Sequence, residues 1–400
     1  MWIRTIEQTR RGTAVPRPGC GAARLLLLAI VLLACIVPAA AREQKTVFRS
    51  QSGEVEPRLE KRDTLPNLQF APAWTFKGFG APLAGDPVVC GGRLVVASQN
   101  GDVAGLDPSD GRVAWSVTLS AALSVGPSTD GSAIYQGSQD GRLFAVRDGI
   151  VLWTTTIGSA PAFPPRPMGG RLYVAVAAQE LLSVDPGDGR IETRRALPGR
   201  PSTPPEPAPG SVLIGTEHGM VLCLTVPGLA VRWRYYAGQA ITAPPLYYKR
   251  KVYLAALDRS LMALRFRNGH RLWRYDTGAI TTARLFVRRP YLYALCYDND
   301  IYILRARNGH LVHRARLGHR LDASAARSDH HLFVAPFTEA SLVGLSLPGL
   351  RTLGRFALEV PGEWFTTAPV LVAGRVALGY GRAEGRVLAL TVSEVTPKEP

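Results

Sequence analysis

The chain has 400 residues, 46% of them apolar and 20% charged, so it can bury a sizeable core and is not a disordered polymer. Lys and Arg (47) outnumber Asp and Glu (31), a formal charge of +16 that points to an anionic partner. Five Cys with no CxxC pair exclude a zinc ribbon and a disulfide framework, while 40 Gly and 31 Pro favour many turns between short strands.

The N-terminus reads as an address. Arg4, Arg10, Arg11, Arg17 and Arg24 stand against Glu7, and Leu25–Val37 is an unbroken apolar run of 13. A membrane-spanning helix needs about 20 such residues, so the run has the form of a secretory signal. Two cleavages compete. Ala39, Ala40 and Ala41 form an A-x-A site that leaves a soluble protein starting at Arg42. Leu32, Leu33, Ala34 and Cys35 form a lipoprotein-type site at which Cys35 is acylated. An uncleaved anchor is a third reading, and all three put the body of the protein outside the cytoplasm, in the periplasm, with the Cys35 route anchoring it to the outer membrane. Residues 1–41 are thus a signal segment, 42–70 a polar linker, 71–393 the folded body and 394–400 a tail.

Within the body one position returns at Trp74, Trp115, Trp153, Thr193, Trp233, Trp273, His313 and Gly354, with spacings of 41, 38, 40, 40, 40, 40 and 41. Five of the seven Trp share it, which chance would not produce. Each unit reads as four short strands. In the fifth these are 243–248, 251–256, 260–265 and 271–275, with Asn268-Gly269 between the last two. Such a dipeptide between alternating apolar runs is a strong hairpin signal, because positive φ is needed there and few residues accept it. Asp110-Gly111, Asp148-Gly149, Asp188-Gly189 and Asn308-Gly309 repeat it.

Four-stranded units of about 40–45 residues define a β-propeller. Third strands fall near 103, 143, 182, 221, 261, 302, 342 and 387, which makes eight. The last unit lacks a fourth strand, and the first fourth strand, around Trp74, precedes any third strand. The expected fold is therefore all-β: an eight-bladed propeller of four-stranded antiparallel blades, closed by its N-terminal strand.

The repeat A-x-D-x-x-[TSD]-G-x-x-x-W, preceded by strands such as Gly170-Arg171-Leu172-Tyr173-Val174-Ala175, resembles the PQQ-like (pyrroloquinoline quinone-like) propeller repeat over residues 71–392. The resemblance implies that Trp74, Trp115, Trp153, Trp233 and Trp273 pack between blades. Thr193, His313 and Gly354 depart from the pattern, and looser packing is expected at their junctions.

The resemblance leads to two branches. Quinoprotein dehydrogenases hold a quinone on a Trp floor with Ca²⁺ on Glu, Asn and Asp ligands and an Asp base, many of them beneath a Cys-Cys disulfide. This chain has no Cys-Cys, and Glu206, Asp322 and Glu363 are almost the whole carboxylate supply near the innermost strands. The second branch comprises exported eight-bladed lipoproteins of the outer-membrane β-barrel assembly machinery. Size, leader, blade count and the absent cofactor constellation agree with it. The expectation is a non-catalytic interaction scaffold without cofactor or catalytic residues. A quinoprotein dehydrogenase or a small-ligand-binding propeller is the alternative.

Other constellations are weak. His330 and His331 are adjacent, and neighbouring strand residues face opposite ways, which does not suit a shared metal. Cys90, Cys223 and Cys296 read as small buried hydrophobes. Trp364, outside the repeat register beside Glu363, is the aromatic residue expected to contact a partner.

The charge is local. Between Arg232 and Arg320 the chain carries 18 Lys and Arg against four Asp. Arg232, Arg234, Arg271, Arg274, Arg314 and Arg316 flank outer strands and form the expected partner-binding sector. In an exported protein the anionic partners are an envelope protein face, lipid headgroups or lipopolysaccharide, and nucleic acid is not expected. The competing account is a solvated Arg-rich edge that discourages strand pairing.

Overall fold

A computed structural model describes residues 66–317, 325–336 and 340–395. The expected signal segment with Cys35, most of the expected linker, Arg320, Asp322 and residues 396–400 lie outside the described residues.

The described residues form eight four-stranded antiparallel sheets and contain no helix. Seven blades span residues 88–118, 128–156, 166–196, 206–236, 246–276, 286–316 and 326–357, and are numbered 1 to 7. Blade 8 takes three strands from 370–395 and its fourth from Asn67–Phe76, which pairs with Arg386–Val395 from Asn67↔Val395 to Phe76↔Val387. The sheet thus begins ahead of the expected boundary at 71 and ends beyond 393. In each blade we label the strands a to d from the axis to the rim.

Blade 5 shows why these sequences fold this way. Its strands are Leu246–Tyr248, Lys251–Ala255, Ser260–Arg265 and Arg271–Asp276. In strands b and c successive residues Val252, Tyr253, Leu254 and Ala255, and Leu261, Met262, Ala263 and Leu264, are all buried, because each face of the sheet meets a neighbouring blade. Strand d alternates instead, with Trp273 buried between exposed Leu272 and Arg274. Eight apolar clusters lie between consecutive blades. Trp74, Leu94, Val96 and Ala389 join blade 8 to blade 1, so the ring has no open junction.

The docking position is built by two residues from facing blades. The indole N–H groups of Trp74, Trp153, Trp233 and Trp273 donate to the carbonyls of Pro108, Pro186, Phe266 and Ala306, at 3.0, 2.9, 2.6 and 3.4 Å. Those carbonyls sit in the c–d turn of the next blade. Each Trp ring lies against that turn's glycine: Trp74 on Gly111, Trp115 on Gly149, Trp153 on Gly189, Trp233 on Gly269 and Trp273 on Gly309. A Cβ on Gly111, Gly189, Gly269 or Gly309 would come within 2.5–2.8 Å of a ring atom, and φ there is +72° to +76°. The glycines therefore serve both the turn and the neighbour's Trp.

The three junctions without Trp are filled differently. Opposite Thr193 and His313 the next turn carries Leu229 and Leu350 in place of glycine, both with positive φ and both in the apolar cluster between the two blades. Opposite Gly354 there is no turn, because blade 8 takes its strand d from the other end of the chain. Leu68, 4% exposed, fills that place, against Gly354 and Gly344 and beside Phe70. Five junctions pair Trp with Gly, and three pair a smaller or polar residue with Leu.

Cys223 and Cys296 are buried, whereas Cys90 is half-exposed, so only two of the three thiols are core residues. Burial pushes the Cys296 thiol up to about 12, against a contact with the Thr281 hydroxyl that lowers it. Because the thiolate is the reactive form, Cys223 and Cys296 should resist maleimide in the native protein and label on unfolding, as read by peptide mass mapping. Rapid native labelling of Cys296 would contradict this packing.

Candidate binding surface on blades 4 to 6

Antiparallel strands give each blade two ends. The a–b and c–d turns share one, here called the lower end; the b–c turn and the link to the next blade share the upper. Blade 5 places Lys249, Arg250, Lys251, Arg265 and Arg267 at its lower end, and blade 6 places Arg288, Arg289, Arg305 and Arg307 there. No Asp or Glu accompanies them in blades 4 to 6. By contrast, the lower ends of blades 1 to 3 carry Asp107, Asp110, Asp130, Asp148, Asp185 and Asp188.

The four Asp of the basic sector lie at the upper end, and all are engaged. Arg274 pairs with Asp258 at 3.1 Å and Asp276 at 2.9 Å. Arg314 pairs with Asp298 at 3.2 Å and closely with Asp300, which also takes Arg316 at 3.3 Å. Arg274, Arg314 and Arg316 therefore belong to upper-end ion pairs within their own blades. Arg232 and Arg271 lie at the lower end of their strands, and Arg234 is exposed on the rim. The expected six do not form one surface.

At the lower end of blade 5 the turns enclose a cleft of about 500 Å³, lined by Arg232, Lys249, Arg250, Lys251, Arg265 and Arg267 with Phe266 and Leu272. The Arg232 guanidinium lies 4.9 Å over the Phe266 ring and donates to Ser211 Oγ at 3.3 Å. Phe266 N donates to Arg250 O at 2.9 Å, tying the a–b turn to the c–d turn. A smaller cleft of about 170 Å³ adjoins it, with Lys249, Lys251, Arg289 and Arg307 on its walls. Lys251 stands between the two, donating to Ala306 O at 3.2 Å and Arg307 O at 2.8 Å. Burial, and then Arg307, hold its ammonium below the usual lysine range. Six cations around a cleft with no acid on its walls suit an anion able to accept several hydrogen bonds. Lys249, Arg250, Lys251, Arg288 and Arg289 stand out in the sequence as basic connecting segments. Arg265, Arg267, Arg305 and Arg307 do not, and the signal available was the absence of acids from turns that share one end.

Near the axis the buried carboxylate of Glu206 accepts both guanidinium nitrogens of Arg284, at 2.5 and 2.6 Å, with Arg166 at 3.6 Å. This triad links blades 3, 4 and 6. Glu363 accepts from Arg382 N at 3.3 Å, and the Arg382 guanidinium covers the neighbouring Trp364 ring at 3.7 Å. Trp364 lies at the upper end and does not meet the basic clefts. His331 Nε2 lies 3.6 Å from Glu394, and among the described residues no three His, Cys, Asp or Glu side chains are placed to hold a metal. A carboxylate already gripped by two cations is a poor ligand for Ca²⁺, and all five docking Trp are on outer strands, away from the axis. Glu206, the carboxylate gripped at the axis among the described residues, does not fit a Ca²⁺ site.

A closed ring of eight four-stranded blades, docked through a recurrent outer-strand Trp, is an eight-bladed propeller of the PQQ-like class. The chain belongs to the family described as outer membrane protein assembly factor BamB, whose model matches residues 69–204 and 199–337. No curated protein sequence matches it. Among solved structures, BamB from Moraxella catarrhalis is similar at a TM-score of 0.66 and 16% identity, over 81% of this chain and 100% of that one. The computationally designed protein Ika8 is similar at 0.68 and 14%, over 80% and 99%. The quinohemoprotein alcohol dehydrogenase of Comamonas testosteroni is similar at 0.65 and 12%, over 83% and 77%. At these identities the likeness is one of fold.

Proposed function

We propose that this chain is an exported, non-catalytic propeller that acts as a protein-interaction scaffold in outer-membrane β-barrel assembly. The observation that carries the reading is the family match, which runs in two tandem stretches through residues 69–337. The chemistry at the axis supports it. Glu206, a buried carboxylate near the axis, is held by Arg284 and Arg166, which makes it a poor Ca²⁺ ligand. The leader of residues 1–41 directs the chain out of the cytoplasm, and acylation at Cys35 would keep it beside the membrane in which the barrels assemble.

The dehydrogenase alternative rests on the fold shared with the quinohemoprotein enzyme. Titration of the purified chain with pyrroloquinoline quinone and Ca²⁺ separates the two. The scaffold reading expects no saturable quinone fluorescence change and no dye-linked alcohol or sugar oxidation. Stoichiometric binding of quinone and Ca²⁺ with turnover would replace it by the dehydrogenase reading.

A further inference from the structure

We propose that the lower end of blades 4 to 6 is a membrane-facing surface that binds the phosphate-bearing headgroups of an anionic bilayer, with the blade 5 cleft seating one headgroup. This goes beyond the scaffold reading, which requires no lipid contact.

Three features of this end point to a bilayer. First, the charge is of one sign: Lys249, Arg250, Arg267, Arg289 and Arg307 project from four neighbouring turns as exposed side chains, without an acid among them. Anionic leaflets attract such clusters additively, because each cation meets a sheet of phosphates and needs no matched partner. Second, Val231, Leu272 and Leu311 lie near the lower-end start of strand d in blades 4, 5 and 6, one per blade, and are 45, 39 and 44% exposed. Apolar side chains interleaved with cations at one level are what an interfacial surface presents to headgroups and the first acyl carbons. An acidic protein face would instead favour aromatic anchors. Here Tyr253 and Phe266 lie buried beneath the turns and Tyr248 is half-covered. Third, Asn67 pairs with Val395 at the end of a strand c, so the first described strand, the one nearest in sequence to the Cys35 anchor of the scaffold reading, starts at this same end.

The cleft supplies the headgroup pocket. Arg232, Arg265 and Arg267 offer guanidinium forks for a phosphate, Lys251 offers an ammonium, and Leu272 offers an apolar wall for a glycerol backbone.

Hydrogen exchange on the full chain, mixed with phosphatidylglycerol vesicles, phosphatidylcholine vesicles or inorganic phosphate, tests this. Exchange in 249–251, 266–270 and 306–310 should slow by about tenfold on phosphatidylglycerol and not on phosphatidylcholine, and recover in high salt. The triple variant Lys249→Asn, Arg250→Asn, Arg267→Glu should lose that protection; Asn is chosen at the first two sites because it accepts their positive φ. A control with Arg112→Glu, Arg147→Glu and Arg190→Glu, at the lower end of blades 1 to 3, should keep it. Equal protection on both vesicles would reduce the contact to an anchor effect. Protection by inorganic phosphate alone would make this a free-anion site. No protection, or equal loss in the control, would overturn the proposal outright.

Discussion

Trp273→Ala should lower stability by about 3–5 kcal/mol, read as a reduced denaturation midpoint in urea, because it empties the socket between blades 5 and 6. Trp273 is 8% exposed and its ring contacts the Gly309 turn, so truncation opens a cavity there, while Tyr253 and Lys251 still donate to Ala306 O, the carbonyl its indole N–H also reaches. Gly309→Leu should also destabilise, since its side chain would meet the ring where a Cβ already comes within 2.6 Å. The double variant Trp273→Thr, Gly309→Leu transplants the residues that stand at Thr193 and Leu229, and should recover at least half of the summed losses of Trp273→Thr and Gly309→Leu made singly. Strict additivity of those two single changes would show that the facing residues do not share one socket.

The second large effect is at the closure. Leu68→Ala should cost about 2–5 kcal/mol, the range for removing a buried leucine where the surroundings collapse poorly. Collapse is hindered here because Gly344 and Gly354, the two residues beneath Leu68, have no side chains to move inward. The loss falls on the seam between blades 7 and 8, where Leu68 packs with Phe333, Leu342, Leu388 and Leu390. Slippage of strand 67–76 would also bare the hydrogen-bonding edge of Arg386–Val395, so the variant should associate on warming more readily than Trp273→Ala. A midpoint within experimental error of the parent would mean that this N-terminal segment is decoration, with the ring closed by Trp74 alone.

Much of the fold is written in the repeat. The eight third strands, the fourth-strand positions from Trp74 to Gly354 and the Asp-Gly and Asn-Gly turns follow from period and turn chemistry, and the structure has them at those places. What one repeat cannot display is a contact with the next. Leu229 and Leu350 stand in the sequence where other units carry glycine, yet their role appears only when their turns are seen against Thr193 and His313. Leu68 and Phe70 alternate as strand residues should, but the polar run before them made the segment look like linker.

The candidate site was legible in charge and not in geometry. Arg316 has only apolar or basic neighbours in sequence. The ladder sets it opposite Asp300, one strand over, and Arg314 and Arg274 are similarly engaged. The lower-end cations are separated along the chain by whole strands. Only the strand directions gather 249–251, 265–267, 288–289 and 305–307 at one level while sending Asp258, Asp276, Asp298 and Asp300 to the other. For the same reason Trp364, conspicuous in the sequence, proves to be stacked under Arg382 away from the clefts.

The scaffold role is tested most directly by photo-cross-linking in living cells. A photoreactive amino acid is placed at exposed rim positions such as Arg234 and Arg271, and the adducts are identified by mass. The account predicts adducts with components of the outer-membrane β-barrel assembly machinery, formed in intact envelopes and lost when the Trp273→Ala variant is unfolded. Adducts confined to a dehydrogenase electron acceptor, or normal outer-membrane barrel levels together with no machinery adduct from any blade, would contradict it.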